Sequence, residues 1–256
     1  MKDNVIKVFK DIIYCPNIEQ YFNKKDNDCS VIIGSQPTDQ KKLFQIPEPF
    51  CGEIDKAKIL IIGSNPHVDM EQKELFPTYD TTKWDENSII EYFYKRFEKN
   101  FKKGTHKIMK DGSYKNVKYL SSIKGRVKEI FDLINKEFIP GTDYCLTEIV
   151  HCRSNGEKGV GKAVVACEKY LKEIVKLSPA SLIIIVGNTA KKSFCKQYKL
   201  EKYLDKKVSD PESIERKQRL LYIIPAPNAR GINKKMEFYL NNNEKNKIKN
   251  WILNKF

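Results

Sequence analysis

Four apolar runs separated by helical patterns constrain the fold of this chain more than any other feature. They cover 57–63 (AKILIIG), 144–151 (YCLTEIVH), 181–187 (SLIIIVG) and 219–225 (RLLYIIP). Each run is continuous rather than alternating, as expected of strands that are buried on both faces. Strands alternating with helices predict an α/β fold in which a parallel sheet is covered by helices on both sides. Ligands of such sheets bind at the carboxyl ends of the strands, so we expect function in the four loops that follow these runs.

The rest of the chain is organised around these strands. Helical spacing of apolar residues predicts helices over 86–101, 122–138, 161–177, 188–198 and 234–255. A length of 256 residues suits a single domain, spanning 1–256. We expect an N-terminal extension over 1–55 and insertions over 102–121 and 199–218. The first insertion is basic, with Tyr114 and Tyr119 interleaved.

Composition indicates an anionic partner. Lys and Arg number 47 against 33 Asp and Glu, a net charge of +14. Such an excess favours nucleic acid, although a Lys-rich proteome would give the same balance. The start of the chain predicts an amphipathic helix rather than a signal peptide, and no apolar run is long enough to span a membrane. We therefore expect a cytoplasmic monomer, whose seven Cys are free thiols or metal ligands rather than disulfides.

The loop after the first strand has the sequence GSNPH, residues 63–67. Gly63 permits a sharp turn, and Pro66 stiffens it. Asn65 would then hold its side-chain amide at a fixed place above the sheet. The alternative is a turn in which Asn and Pro supply only geometry.

The loop after the second strand contains a GxxxxGK pattern over 156–162, as in phosphate-binding loops. The next residue is Ala163, so the hydroxyl that would bind magnesium is missing. A nucleotide hydrolase is therefore kept only as an alternative, and we expect no nucleotide cofactor. The loop after the fourth strand, IPAPNARG (224–231), predicts a rigid turn with Arg230 near its tip. Such a turn suits a phosphate clamp or a wedge into a duplex, or it is a plain connection to the last helix.

These loops together resemble the uracil-DNA glycosylase superfamily. The segment IPEPFCGEIDKAKILIIGSNP (46–66) is similar to the entry into the family's first motif, PxPFxG…GxNPG. LTEIVHCRSNG…ACEKYL…SLIIIVGNTAKKSF (146–194) resembles the middle of the iron–sulfur branch, and PAPNAR (225–230) resembles the second motif PSSSAR of thymine-DNA glycosylases. The resemblance implies a three-layer α/β/α fold around a four-stranded parallel sheet. It also implies a monofunctional enzyme that flips a nucleotide out of DNA and hydrolyses its N-glycosidic bond.

The resemblance assigns roles to the first loop. Asn65 matches the residue that positions the attacking water, an Asp in the most active branch and an Asn in mismatch-specific ones. An amide cannot accept a proton, so Asp69 or Glu71 would act as a base only if the loop folds back. His67 contacts the base or the sugar, or faces solvent. Phe76 is favoured over Tyr79 as the aromatic residue that stacks on the base, with core packing as the alternative.

Two positions depart from the family. Ile224 stands where the most active branch has a His that hydrogen-bonds the leaving base, so one donor is absent. Glu148 stands where the iron–sulfur branch has an Asn that reads uracil. A carboxylate attracts the amino group of cytosine, and a protonated one can donate to N3. A modified cytosine, as in some phage DNA, is therefore the favoured substrate, which implies a defence role. The alternatives are a uracil or mismatched-thymine glycosylase, a catalytically silent binder, and an alignment slip that leaves Glu148 on the surface.

The remaining predicted site residues contact base or DNA. Gly63, Ser64 and Pro66 would line the base pocket beside Asn65. The predicted DNA contacts are Asn188, Thr189, Pro225, Ala226, Asn228, Arg230, Lys103, Lys107 and Lys110. Cys152 and Cys167 fall near two of the ligands of the family's iron–sulfur cluster, but the expected CxxC is missing, since Cys15 and Cys29 are far apart in sequence and Cys51 stands alone. A 4Fe–4S cluster is therefore not favoured, and we expect no required cofactor.

Overall fold

The structure is a computed structural model that describes residues 1–99, 101–102, 104–227, 229 and 235–256. The strands among these residues are β1 (Phe50–Cys51), β2 (Ile59–Gly63), β3 (Phe101–Lys102), β4 (His106–Ile108), β5 (Tyr114–Asn116), β6 (Tyr144–Glu148), β7 (Leu182–Val186), β8 (Glu212–Ile214) and β9 (Lys217–Ile224). The helices are α1 (Asp3–Ile13), α2 (Pro16–Phe22), α3 (Ser30–Ile33), α4 (Glu86–Tyr94), α5 (Arg96–Lys99), α6 (Lys118–Asp132), α7 (Val160–Leu177), α8 (Asn188–Gln197), α9 (Met236–Tyr239) and α10 (Asn242–Leu253).

The main sheet has the strand order β1-β6-β2-β7-β9-β8. Its four central strands are parallel, which confirms the predicted α/β class and the four-stranded parallel core. Two short antiparallel strands, β1 and β8, extend it to six strands and were not predicted. The runs of Ile, Leu and Val in β2 and β7 are fully buried because helices flank the sheet.

Several predicted boundaries differ from the structure. The helix predicted over 86–101 is divided between α4 and α5, and Lys95 separates them. The helix predicted over 234–255 is likewise divided, because Asn241 forms a capping box that begins α10. The helix predicted over 122–138 is α6, which begins four residues earlier and ends at Asp132.

The predicted extension and insertions take part in the fold. α1 buries its apolar face, which confirms the amphipathic N-terminal helix, and it packs on α7. β1, within the predicted extension 1–55, pairs with β6. The insertion over 102–121 contains most of a separate three-stranded antiparallel sheet, β3-β4-β5, and then the start of α6. The insertion over 199–218 supplies the edge strand β8 and the first residues of β9.

The parallel strands place the loops after β2, β6, β7 and β9 along one edge of the sheet. Gly63 and Glu148, the last residues of β2 and β6, are direct partners in the strand register. Among the described helices, none combines the length and the apolar character that crossing a membrane requires.

Candidate active site

The loops after β2 and β6 run side by side and form one unit. Backbone hydrogen bonds join Ile149 N to Gly63 O (2.9 Å), Val150 N to Ser64 O (3.0 Å) and Ser154 N to Pro66 O (3.0 Å). The pairing therefore continues beyond the ends of the strands. It holds the Asn65 segment against the segment that follows Glu148, as the carboxyl-end rule predicts.

Asn65 is held in one orientation. Its Nδ2 donates to Ser154 Oγ at 2.8 Å and to the carbonyl oxygen of Pro66 at 2.9 Å. A carbonyl can only accept, so these bonds fix which side of the amide carries the nitrogen. Oδ1 is thereby directed away from both partners, and no hydrogen bond joins it to another described residue. An acceptor of this kind suits a water molecule that must be oriented rather than deprotonated.

Glu148 lies directly opposite Gly63. Its Oε2 is buried and has no hydrogen-bond partner among the described residues. A Cβ at Gly63 would stand 2.1 Å from this oxygen, so only glycine leaves room for the carboxyl group. Burial, and then the charges of Glu48 and Glu157, raise the pKa of Glu148 well above its ordinary value, against an opposing effect of Arg153. A buried oxygen without a partner is unfavourable unless a ligand supplies one. The interpretation of Glu148 as an ordinary surface acid does not fit this geometry.

The neighbouring residues of the first loop differ in their surroundings. Ser64 Oγ is a second buried oxygen for which the described residues supply no partner, and Pro66 is buried. His67 is exposed, and partial burial together with Arg153 and Lys107 lowers its pKa, so that the ring is neutral near pH 7. The Asp69 carboxylate accepts from the backbone N of Glu74 at 2.5 Å and thus stabilises its own loop.

Two further residues from the sequence analysis have other partners. Glu71 is exposed and forms an ion pair with the exposed Lys73. Tyr79 donates to the carbonyl oxygen of Ile13 and stacks with Phe44, which ties it to the N-terminal helix. These contacts show the loop in a conformation that keeps Glu71 in solvent.

Phe76 is 4% exposed and lies beside a buried cluster of charges. The guanidinium of Arg153 covers its ring at 3.8 Å from the centroid. A flipped base would stack on Phe76 only if Arg153 moved, and the stacking role stays a prediction. The cluster itself comprises Glu48, Glu74, Arg96, Arg153 and Lys107.

We call this group the ion cluster. Arg96 contacts both carboxylates, at 2.8 Å to Glu48 and 3.0 Å to Glu74. Arg153 contacts the same two, at 3.1 and 3.4 Å, and Lys107 lies 2.9 Å from Glu74. Burial alone would raise the pKa of each carboxyl group, but the guanidinium groups outweigh it and lower both values. The cluster joins the segment before β1 to both loops of the site.

The third loop contacts the start of α8. Gly187 N donates to Ile224 O at 2.9 Å, and a Cβ at Gly187 would stand 3.4 Å from Ala226 Cβ. Ile224 is 5% exposed and brings no donor to the site. Pro225 and Ala226 are partly exposed. The predicted contacts Asn228 and Arg230 lie outside the described residues.

The predicted DNA contacts at the helix start and on the lysines differ in exposure and in their present partners. Asn188 is exposed at the first position of α8, while the Thr189 hydroxyl donates to Glu157 at 3.4 Å. Lys107 already shares its charge with Glu74, and Lys110 is exposed. Lys103 lies outside the described residues. An open cleft of about 380 Å³ lies between the His67 loop and the β4–β5 hairpin, and its walls include Lys107, Lys115 and Lys118.

The seven cysteines are all described, and all are free thiols, as predicted. Burial, and then the thiols of Cys167, Cys15 and Cys29, raise the pKa of Cys152 well above its ordinary value. These four cysteines therefore lie within electrostatic range of one another. Cys15 nevertheless accepts from Tyr170 and Cys29 from Asn17, and no group of three or more possible ligands among the described residues is arranged to hold a metal ion. These residues therefore do not fit an iron–sulfur cluster.

The phosphate-loop pattern over 156–162 is closed at its centre. A Cβ at Gly159 would stand 2.5 Å from the backbone N of Ile32, because the N-terminal segment packs directly on this loop. This packing argues against a nucleotide hydrolase. The geometry instead describes an α/β protein whose site lies at the carboxyl ends of β2 and β6.

Comparison with protein families agrees with this geometry. Residues 49–253 match the family model described as the uracil DNA glycosylase superfamily. The match covers most of the chain, and the protein therefore belongs to this superfamily. Membership supports a DNA glycosylase activity in general terms, with DNA as the substrate. A search of curated proteins finds no significant match.

Sequence reasoning missed two residues of this site. Ser154, which holds Asn65, is 1% exposed and comes from the loop after β6. The carboxyl-end rule pointed to that loop, but nothing in the sequence paired the two side chains. Tyr119 was noticed as an aromatic residue in a basic insertion, whereas the structure places its hydroxyl beside Gly63.

Proposed function

We propose that the protein is a monofunctional DNA glycosylase that excises a modified cytosine and leaves an abasic site. The observation that carries this proposal is the buried Oε2 of Glu148 opposite Gly63, which has no partner in the described part of the chain and lies beside the oriented amide of Asn65. A flipped base in this position would give the buried oxygen the partner that it lacks.

Glu148 discriminates between bases by its charge. An ionised carboxylate accepts from the exocyclic amino group of cytosine and repels O4 of uracil. The protonated form donates to N3 of cytosine, and protonation there improves a poor leaving group. Burial favours the protonated form, because it raises the pKa of this carboxyl group.

Asn65 acts on the other reactant. Its Oδ1 accepts from a water molecule and directs the oxygen of that water toward C1′ of the flipped nucleotide. The bond between C1′ and the base breaks with its electron pair moving to the base, and the water oxygen bonds to C1′. Since the amide takes no proton, the water loses its proton only after its oxygen has bonded to C1′, and this proton passes to the departed base anion or to bulk water. We therefore expect a slow and selective enzyme.

A substituent on the base fits the surroundings of the site. The cleft beside His67 offers about 380 Å³, lined mainly by polar and charged residues together with Met70, Met109 and Val117. A polar group at C5 would find room there if the flipped base turns that edge toward His67. Removal of ordinary cytosine would damage the cell's own DNA, whereas hydroxymethylated or glycosylated cytosine marks the DNA of some phages. A defence role follows from this choice of substrate, and we expect the protein to act as a monomer.

Excision of uracil or mismatched thymine is the second candidate. A protonated carboxyl group can accept from N3–H and donate to O4 of uracil as readily as it pairs with cytosine. The raised pKa of Glu148 supports this possibility too.

A base-release panel distinguishes the candidates. Duplexes containing uracil, mismatched thymine, cytosine, 5-hydroxymethylcytosine or its glucosylated form are incubated with the protein, and released bases are identified by mass. We expect release from a modified cytosine and at least a hundredfold loss in Asn65→Ala, since one catalytic hydrogen-bonding group contributes on this scale. Release from uracil alone would replace the first candidate with the second. No release from any duplex would indicate a silent binder.

A further inference from the structure

Two side chains from different elements converge on the space above Gly63. The point where a Cβ of Gly63 would stand is 2.1 Å from Glu148 Oε2 and 2.9 Å from Tyr119 Oη. The two oxygens are therefore at most about 5 Å apart. Glu148 ends β6, whereas Tyr119 lies in the first turn of α6, directly after the three-stranded sheet β3-β4-β5. The insertion thus delivers a phenol hydroxyl to the edge of the sheet where Glu148 lies.

The Tyr119 hydroxyl is a permanent donor. Burial, and then the charges of Glu148 and Glu48, raise the pKa of Tyr119 well above its ordinary value, so the phenol keeps its proton. The residue is partly exposed, as expected of a group that meets a ligand from solvent. Glu148, by contrast, can change its charge. The site therefore combines Tyr119, which always carries its proton, with Glu148, which can gain or lose one.

The superfamily position that carries a donor to the leaving base in its most active branch is occupied here by Ile224, which cannot form this bond. Negative charge develops on the base as its bond to C1′ breaks, and in cytosine this charge spreads over N3 and O2. A donor directed at this edge stabilises the transition state more than the ground state. Because Ile224 cannot donate, a hydrogen-bond donor to the leaving base would have to come from an element other than β9.

We propose that Tyr119 is a catalytic residue that donates a hydrogen bond to N3 of the flipped cytosine-type base and stabilises the leaving base. In this arrangement Tyr119, rather than a protonated Glu148, binds N3, and Glu148 accepts from the neighbouring exocyclic amino group. N3 and this amino group are adjacent on one edge of the base, so two protein oxygens at this separation can each bind one of them. Tyr119 retains its proton throughout, and the electron pair of the broken bond stays on the base. This assignment rests on the proposed function, because it requires a flipped base above Gly63.

Tyr119→Phe tests the assignment, because it removes the hydroxyl and keeps the ring. We expect single-turnover base release to slow by about a hundredfold, with less than about a threefold change in the affinity for an unmodified duplex. The matched control is Tyr198→Phe, directly after α8, whose hydroxyl has no hydrogen-bond partner among the described residues. It should release base at the wild-type rate. Melting temperatures of both variants should match that of the wild type.

A leaving-group series separates catalysis from a structural role. The effect of Tyr119→Phe should shrink for a cytosine with an electron-withdrawing 5-fluoro group, because its anion needs less stabilisation. A purely structural defect would slow all substrates by the same factor. An equal loss on both bases, or wild-type rates on both, would overturn the role of Tyr119 while leaving the glycosylase itself intact.

Binding provides a readout that does not need turnover. DNA with a 2′-fluoro nucleotide resists hydrolysis, so its affinity reports base recognition alone. The wild type should prefer a duplex with the 2′-fluoro modified cytidine over an unmodified duplex, and Tyr119→Phe should lose most of this preference. If the wild type releases no base, the proposed function fails, and this preference still decides whether Tyr119 reads a base. Equal preferences in both proteins would refute the assignment.

Discussion

Gly63→Ala is the sharpest test of the site, because it places one methyl group where two side chains converge. The new Cβ would lie 2.1 Å from Glu148 Oε2 and 2.9 Å from Tyr119 Oη. Ordinary contact needs about 3.4 Å, so the carboxyl oxygen must move by more than about 1 Å and the phenol by about half as much. A displacement of about 1 Å in a reacting group can cost about a hundredfold in rate. We therefore expect single-turnover base release to fall by about this factor.

The same substitution should change stability little. Gly63 is not among the glycines with positive φ, so alanine can adopt its backbone conformation. The three clashing atoms, Oε2 and Cδ of Glu148 and Oη of Tyr119, belong to the ends of side chains and can move aside. Alanine also lowers the entropy of the unfolded chain, which contributes about 0.4–1 kcal/mol in the opposite direction. We expect the free energy of unfolding, measured in urea, to stay within about 1 kcal/mol of the wild type.

Gly125→Ala is the matched control. Gly125 lies in α6, the helix that carries Tyr119, and a Cβ there meets nothing within 4 Å. This variant should be more stable by about 0.8 kcal/mol and should release base at the wild-type rate. A folded Gly63→Ala variant with the wild-type rate would refute the reasoning, because neither Glu148 nor Tyr119 could then depend on its present position.

Three further predictions concern the surroundings of the site. Ser154→Ala removes the oxygen that fixes Asn65, and we expect about a tenfold slower chemical step with unchanged DNA affinity in single-turnover assays. The raised pKa of Glu148 means that its contribution to stability is complete below its unfolded value near 4.5 and is lost as the pH rises toward the folded value. Glu148→Gln should therefore gain stability relative to the wild type as the pH rises above about 4.5, measured by urea unfolding, and a constant difference would contradict this. Arg96→Met leaves two buried carboxylates with fewer partners and should lower the free energy of unfolding by about 3 kcal/mol, whereas a neutral result would show that Arg153 and Lys107 suffice.

The parallel core could be predicted because its strands are short continuous apolar runs, which indicate strands buried on both faces. The edge strands escaped prediction for the opposite reason. β1 has two residues, and β8 has three residues of mixed polarity, so neither gives a periodic pattern. The break at Lys95 was also invisible, because the apolar spacing continues across it.

The site was partly predictable by the same logic. Asn65 and Glu148 end two predicted parallel strands, and the sheet rule alone brings them to one edge. Tyr119 is different, because its place beside Gly63 depends on the whole path of the β3-β4-β5 sheet between them in sequence. Phe76 was chosen as the stacking residue because of its distance in sequence from Asn65. That distance could not predict that the guanidinium of Arg153 covers its ring.

The ion cluster has a consequence for the electric field at the site. Its three cations and two carboxylates leave one excess positive charge in a buried place, and Arg153 acts on both Glu148 and His67. Mobile ions screen exposed lysines but reach a buried charge much less. Added salt should thus weaken the encounter between protein and DNA while leaving the effect of the ion cluster on Glu148 and His67 nearly intact. The protein in this way separates the electrostatics of capture from the electrostatics of bond cleavage.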